Sequence, residues 1–425
     1  MMSLTDWTKL SRYWEKTLQD PADGDIVPRS VLRSALAVCA ASILITSPLG
    51  VTPAEIFLGL CVLLLLVKPS LLQLPRWRSL PAYFLPMIGF VVWSLLSAFM
   101  AADPATSLLN LKKVVLFLIP LIMLLALENS AQSRWTCRML FFTMALSAMV
   151  AVLQFPNYHN MLNRIHGFLG HHMTFAGQLS LILTAMVAYL VSREKWRSRS
   201  NLLFFLLFLL GLTALTLTLT RSAWLGFFTG GVVVLLLLRP RLALFLPVLA
   251  ILVFLMSPGF IQNRFEHFFD VQEAGNAARL DMWRTGIRMV EDRPVFGVGP
   301  VMIPEERRNY GANPNISDDF YMHLHNNIVQ IAAERGIPTL LFWFWFLGGI
   351  VVTNFRFYGR LRRQKLREVM FYPAMAIGAV VCLFVSGLFE YNFGDSEVLI
   401  LFLSLVGLAS LVRIRFRFDP NDETP

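Results

Sequence analysis

The stretch LLFFLLFLLGLTALTLTLTRSAW, Leu202 to Trp224, decides the fold. From Leu202 to Thr220 it holds no charged residue. An apolar run of about twenty residues is what a helix needs to cross the ~30 Å hydrocarbon layer of a membrane. Arg221 then stands in a turn with almost no loop, because the next apolar run starts at Ser222 and continues to Leu238. Thr216, Thr218 and Thr220 alternate as in a strand. In a membrane, however, a helix whose hydroxyls bond back to its own carbonyls is expected instead. Ser222 is the expected cap of the second helix, whose N-terminus adds partial positive charge beside Arg221 and makes a phosphate-binding corner. Snorkelling of Arg221 to lipid headgroups is an equal alternative.

Working outward, similar runs recur along the chain and give about twelve expected spans. Nine lie within 31–257, ending with Leu242 to Ser257, and three lie within 338–412, starting with Pro338 to Thr353. Between them, residues 258–337 are polar, and segments 1–30 and 413–425 flank the whole. Composition agrees. Hydrophobic residues make up 56% of 425, charged residues 15%, and mean hydropathy is +0.60. That is too little polar surface for a soluble protein of this length. The expected fold class is an all-α polytopic membrane protein with amphipathic helices in its long polar loop.

Placing the N-terminus in the cytoplasm puts 25 of the 37 Lys and Arg residues on that side, with every inside loop basic. This is the positive-inside pattern. Both termini are thus expected in the cytoplasm and the 258–337 loop outside it. Four cations run against the bias at span ends or short outer loops: Lys112, Lys113, Arg164 and Arg221. Such cations need a partner or a ligand. The net charge of +10 does not point to nucleic acid, since the basic residues form short clusters between spans. Cys39, Cys61, Cys137 and Cys382 lie in or beside apolar runs without metal-ligand spacing. The first thirty residues lack a signal peptide's apolar core, and Leu4, Trp7, Leu10, Trp14 and Leu18 at helical spacing suggest a surface helix or a solvated tail.

The polar loop carries the chemistry. Ala277 to Asp292, AARLDMWRTGIRMVED, is an expected amphipathic helix with Leu280, Trp283, Ile287 and Val290 on its apolar side. Arg279 shares a face with Trp283, making both ligand candidates. Arg284 and Arg288 lie near Asp281 and Asp292, which favours surface ion pairs, with Arg288 kept as a substrate-binding candidate. RPVFGVGP, Arg293 to Pro300, is a helix-ending turn; without a preceding strand or a following Gly-Lys-Ser it is no nucleotide loop. Tyr321 to Gly336, YMHLHNNIVQIAAERG, reads as a helix leading into the tenth span. His323 and His325 at its start would diverge on a helix, which argues against a shared metal even with Asp318 and Asp319 nearby. A neutral histidine there suits proton acceptance from a hydroxyl, and Asn326 or Asn327 can bind a sugar or orient the ring. NRIHGFLGHHMTFAGQ, Asn163 to Gln178, gathers Arg164, His166, His171 and His172 into a candidate substrate wall.

Three segments together, TRSAW at Thr220 to Trp224, RLDMWRTGIRMVEDRPVFGVGP at Arg279 to Pro300 and HLHNNIVQIAAERG at His323 to Gly336, resemble the O-antigen ligase and polymerase superfamily of membrane glycosyltransferases. GFLGHHMTFAGQ is similar to that family's Gly-Phe-x-Gly element. The resemblance implies a GT-C-like enzyme of the Gram-negative inner membrane. It would transfer an oligosaccharide from undecaprenyl diphosphate to an acceptor at the periplasmic face, the lipid A core in the ligase branch. It also implies that Arg221 and Arg279 grip the diphosphate and that His325 is the base, with His323 the neighbour most easily confused with it. No metal or cofactor is implied, and a single displacement inverts configuration. One long outer loop, where polymerases have two, favours a ligase. A polymerase, a protein O-oligosaccharyltransferase, or more remotely a transporter or flippase, are the alternatives. Neither the sugar nor the oligomeric state is legible.

Overall fold

The computed structural model describes residues 31–71, 80–156, 164–194, 198–245, 274–317 and 320–416, with single positions at 259 and 262. The expected surface helix at the N-terminus, nearly all of the ninth span, Asp318 and Asp319, and the C-terminal tail beyond 416 lie outside the described residues. Among those described, the chain is helical, and the all-α polytopic reading holds. The helices are α1 (Val31–Thr46), α2 (Val51–Val67), α3 (Phe84–Phe99), α4 (Pro104–Asn110), α5 (Ile119–Ala126), α6 (Ser130–Gln154), α7 (His172–Ser192), α8 (Arg199–Leu217), α9 (Arg221–Leu238), α10 (Ala274–Asp292), α11 (Asn327–Arg363), α12 (Phe371–Ser386) and α13 (Ser396–Arg415). A 3₁₀ segment, Leu111–Leu118, joins α4 to α5. Among the described residues eight spans are long and apolar enough to cross a membrane, and α2, α3 and α12 are shorter apolar helices. Together they fall on the eleven expected spans outside Leu242 to Ser257.

Three helices form the centre. α7, α12 and α13 are apolar and buried around nearly their whole circumference, the pattern of a helix enclosed by others. α8 at the edge presents Leu202, Leu206 and Leu209 outward, as a lipid-facing surface would. Without a hydrophobic drive between helices in lipid, close backbone approach holds them together, and small residues permit it. Gly230 of α9 illustrates this: a Cβ there would lie 2.8 Å from the Gly378 carbonyl oxygen of α12.

The turn between α8 and α9 forms much as the threonines suggest. Thr216 and Thr218 donate to the carbonyls of Leu212 and Leu215, and the indole of Trp224 donates to Leu215 across the turn. The cap differs from expectation. Thr220 occupies the N-cap position and Arg221 begins the helix, so Ser222 lies inside the first turn.

The polar segment makes a second, smaller core against one end of the bundle. Met282 and Met289 of α10 pack with Val298, Met302, Tyr321, Leu324 and Ala333. The buried stripe is therefore shifted from the expected one, and Ile287 is exposed. Gly286 explains the shift: lacking a side chain, it lets Leu324 and Val329 close to within 2.6 Å of where a Cβ would stand. The glycine turn after α10 crosses α11 at its kink. Val298 and Gly299 donate to the Ala333 and Glu334 carbonyls, and Ile337 donates to Pro294. Gly336 has φ +80°, and a Cβ there would meet the Val295 carbonyl oxygen at 2.0 Å, so glycine is required. Trp93 and Ser97 of α3 donate to the carbonyls of Val295 and Phe296, fixing this turn to the bundle.

Candidate active site

The site begins where α11 begins. Asn326 caps that helix, its side-chain oxygen accepting from the backbone N–H groups of Ile328 and Val329. Its amide donates to the Leu388 carbonyl. Because the helix starts at Asn327, the two histidines lie before it, and His325 adopts φ +49°. The expected divergence of an i, i+2 helical pair is thereby overturned. The left-handed residue folds the chain so that the two rings stand 4.2 Å apart. Trp283 of α10 supports this turn, its indole donating to the Leu324 carbonyl at 3.0 Å.

The convergence has a centre that sequence reasoning missed. Glu390, in the loop between α12 and α13, places Oε2 3.0 Å from His325 Nδ1 and Oε1 3.6 Å from His323 Nε2. Burial opposes its charge, but the facing His325, then His323 and Arg279, outweigh it and hold the carboxyl well below the usual range. Desolvation draws His323 down to about 4, with Glu390 partly offsetting it. The carboxylate is ionised and His323 neutral near pH 7. With Nδ1 held by an anion, the Nε2 atom of His325 is the one left to take a proton.

The arginines approach from α9 and α10. Arg221 is buried at the first position of α9, and its guanidinium donates to Asn276 Oδ1 at 3.0 Å. Asn276 lies one helical turn before Arg279 on α10, and Arg279 is near enough for its charge to act on Glu390. Arg221, Arg279, Glu390 and His325 thus form one chain of neighbours drawn from four parts of the sequence. Arg164 extends it: its guanidinium lies 3.5 Å from His172 Nε2 and 3.4 Å from the Leu219 carbonyl, beside the Arg221 turn.

Residues 206–344, which hold Arg221, Arg279, His323 and His325, match the family model described as O-antigen ligase. The matched part is 139 of the 425 residues, and over it the chain is similar to the O-antigen ligase family. It is also similar to a Rickettsia conorii protein named "Putative polysaccharide ligase", at 23% identity over 330 residues covering 74% of this chain and 76% of that one.

Glu390 lies beyond the matched part of the O-antigen ligase model, in the sequence FEYN after an apolar span. A lone carboxylate at a span's end was the available signal. The remaining candidates divide by what they touch. The ring of His171 lies 4.5 Å from that of His172, tilted by 39°, and lines the cavity beside Glu390. The backbone N–H of His166 is held by Gln154, which pins the loop. Arg288 donates to the carbonyls of Tyr310 and Gly311, away from the histidines and without the expected ion pair to Asp281 or Asp292 among the described contacts. Ligand atoms of His323, His325 and Glu390 lie within 4.8 Å of one another, a spacing that fits a cation. The Nδ1 to carboxylate hydrogen bond accounts equally well for their grouping.

Proposed function

We propose that this protein transfers an O-antigen glycan from undecaprenyl diphosphate to a hydroxyl of the lipid A core oligosaccharide, at the periplasmic face of the inner membrane. The observation that carries the reading is the pairing of two arginines, linked through α10, with a histidine backed by a buried carboxylate. The arginines supply the charge for a diphosphate leaving group, and guanidinium is suited to phosphate oxygens. Arg221 adds the positive end of α9 to that charge.

His325 Nε2 accepts the proton of the acceptor hydroxyl as its oxygen attacks the anomeric carbon. The bond from that carbon to the diphosphate oxygen breaks, the electron pair leaves with undecaprenyl diphosphate, and configuration inverts. Glu390 stabilises the imidazolium that forms without taking the proton itself, as the carboxylate does in a catalytic triad. Arg221 and Arg279 offset the charge that grows on the leaving diphosphate. Both lipid substrates would enter sideways between helices, with the two termini in the cytoplasm.

The test is an in vitro transfer assay with purified polyprenyl-diphosphate-linked glycan and lipid A core, with and without chelator. Glycan attached to the core by the wild type, and none by His325→Ala or Arg221→Ala variants that fold and insert, is expected. Lengthening of glycan on the polyprenyl carrier alone would make the enzyme a polymerase, and loss of activity on chelation would bring a metal into the His323, His325 and Glu390 cluster.

A further inference from the structure

Beside His323 and Glu390 lies a cavity of about 470 Å³. It falls in the size range of small-molecule sites. Neither catalytic arginine lines it. Its inner end is His323 and Glu390, and its walls carry Thr174, Arg335, Tyr391 and Asp395. At its edge stand Lys112 and Lys113, two of the four cations that run against the charge bias.

Both lysines are exposed, and they sit at the start of the 3₁₀ segment Leu111–Leu118 inside an otherwise apolar crossing of Pro104–Ala126. Eight residues is long for a 3₁₀ helix, which is seldom more than three or four, and such a stretch in mid-helix often marks a hinge or a sequence under strain. Lys113 donates to the Gly394 carbonyl. Neither lysine forms an ion pair among the described residues. Glu397, which also lines the cavity, is near enough to feel the charge of Lys113. Thr174 donates to Asp395, and the remaining walls mix carboxylates, an arginine and the rings of Phe90, Phe117 and Phe393. Hydroxyl-bonding groups beside aromatic faces make a saccharide wall, and an anion-binding edge completes it.

We propose that this cavity is the acceptor site and that it selects a saccharide carrying an anionic substituent, phosphate or carboxylate, which Lys112 and Lys113 bind. The inference rests on the glycosyl-transfer reading. A sugar seated there reaches His323 first, and His325, whose ring is 4.2 Å from that of His323, with one hydroxyl.

Direct binding tests this without turnover. The full chain, in phosphatidylcholine nanodiscs, is titrated with a fluorescent oligosaccharide phosphate and with its dephosphorylated form. The phosphorylated probe is expected to bind at least ~10-fold more tightly, two adjacent charge-assisted contacts being sufficient for that ratio. Lys112→Gln/Lys113→Gln should erase the preference, and Lys112→Arg/Lys113→Arg should restore it. No binding by the wild type, or a preference that survives the glutamine pair, overturns the proposal. A second titration in nanodiscs containing phosphatidylglycerol separates the two sources of the anion. If anionic lipid displaces the probe through these lysines, they serve headgroups and the acceptor proposal fails. Wild-type binding with no glycan transfer in the separate assay would sink the ligase reading and leave the site standing.

Discussion

Nδ1 of His325 lies 3.0 Å from Oε2 of Glu390, across 65 residues of sequence. That contact gives the histidine its tautomer and its orientation, and it makes the loop after α12 part of the site. Replacing Glu390 by Gln keeps the shape and removes the charge. Turnover is expected to fall roughly 10²–10⁴-fold, the range for a positioned acid–base group, with donor KM little changed. Steady-state transfer kinetics check this, and a loss of less than about threefold would return Glu390 to a purely structural role.

Asn276 joins Arg221 to the helix that carries Arg279, with its Oδ1 3.0 Å from the guanidinium. Asn276→Ala leaves both cations in place and releases one of them. A fall in turnover of about tenfold is expected, equivalent to about 1.4 kcal/mol and just under the ~1.5–3 kcal/mol of a hydrogen bond to a charged group. Arg221→Lys should do worse than Asn276→Ala, because an ammonium cannot present the planar fork to a diphosphate. Equal activity of Arg221→Lys and wild type would argue that Arg221 acts only as a point charge.

How much of this was legible follows from particular residues. Arg221 stood out because no other charged residue interrupts its two spans, and Arg279 because it shares a face with Trp283 on an amphipathic helix. The spans were readable because lipid imposes length and apolarity on them. The histidine turn was not. A left-handed φ at a non-glycine residue such as His325 leaves no trace in composition, so an apolar run containing it reads as helix. Glu390 escaped notice for another reason: its partner is distant in sequence, and a single glutamate near a span end resembles an interfacial charge. The displaced stripe on α10 depended on Gly286, whose missing side chain acts through residues on another helix.

Gly336 marks the one place in α11 where backbone conformation and close approach both demand glycine. Gly336→Ala must place a Cβ at φ +80° and against the Val295 carbonyl. The left-handed conformation alone costs about 1–3 kcal/mol, before the collision with the crossing turn is counted. Thermal unfolding should show a Tm well below wild type, with loss of monodisperse protein. An unchanged Tm would mean that the α10–α11 turn can move away from α11, and that its position does not constrain the histidines.

Acidification should strip stability in two successive steps. In the unfolded chain His323 protonates near its ordinary 6.5, whereas in the folded protein it stays neutral until about 4. Between those values the unfolded state binds more protons, so stability falls as pH drops through that window. Glu390 acts lower. Its folded carboxyl titrates below the ordinary 4.5, so its contribution is present above that value and is lost as pH falls further. His323→Gln should therefore flatten the fall in Tm between pH 6.5 and 4 while leaving the later loss. Glu390→Gln should do the reverse and deepen the first step, because the carboxylate is what raises His323 against desolvation. Melting curves in detergent from pH 7 downward distinguish the two, and parallel curves for wild type and His323→Gln across the upper window would show that His323 is not the group being titrated.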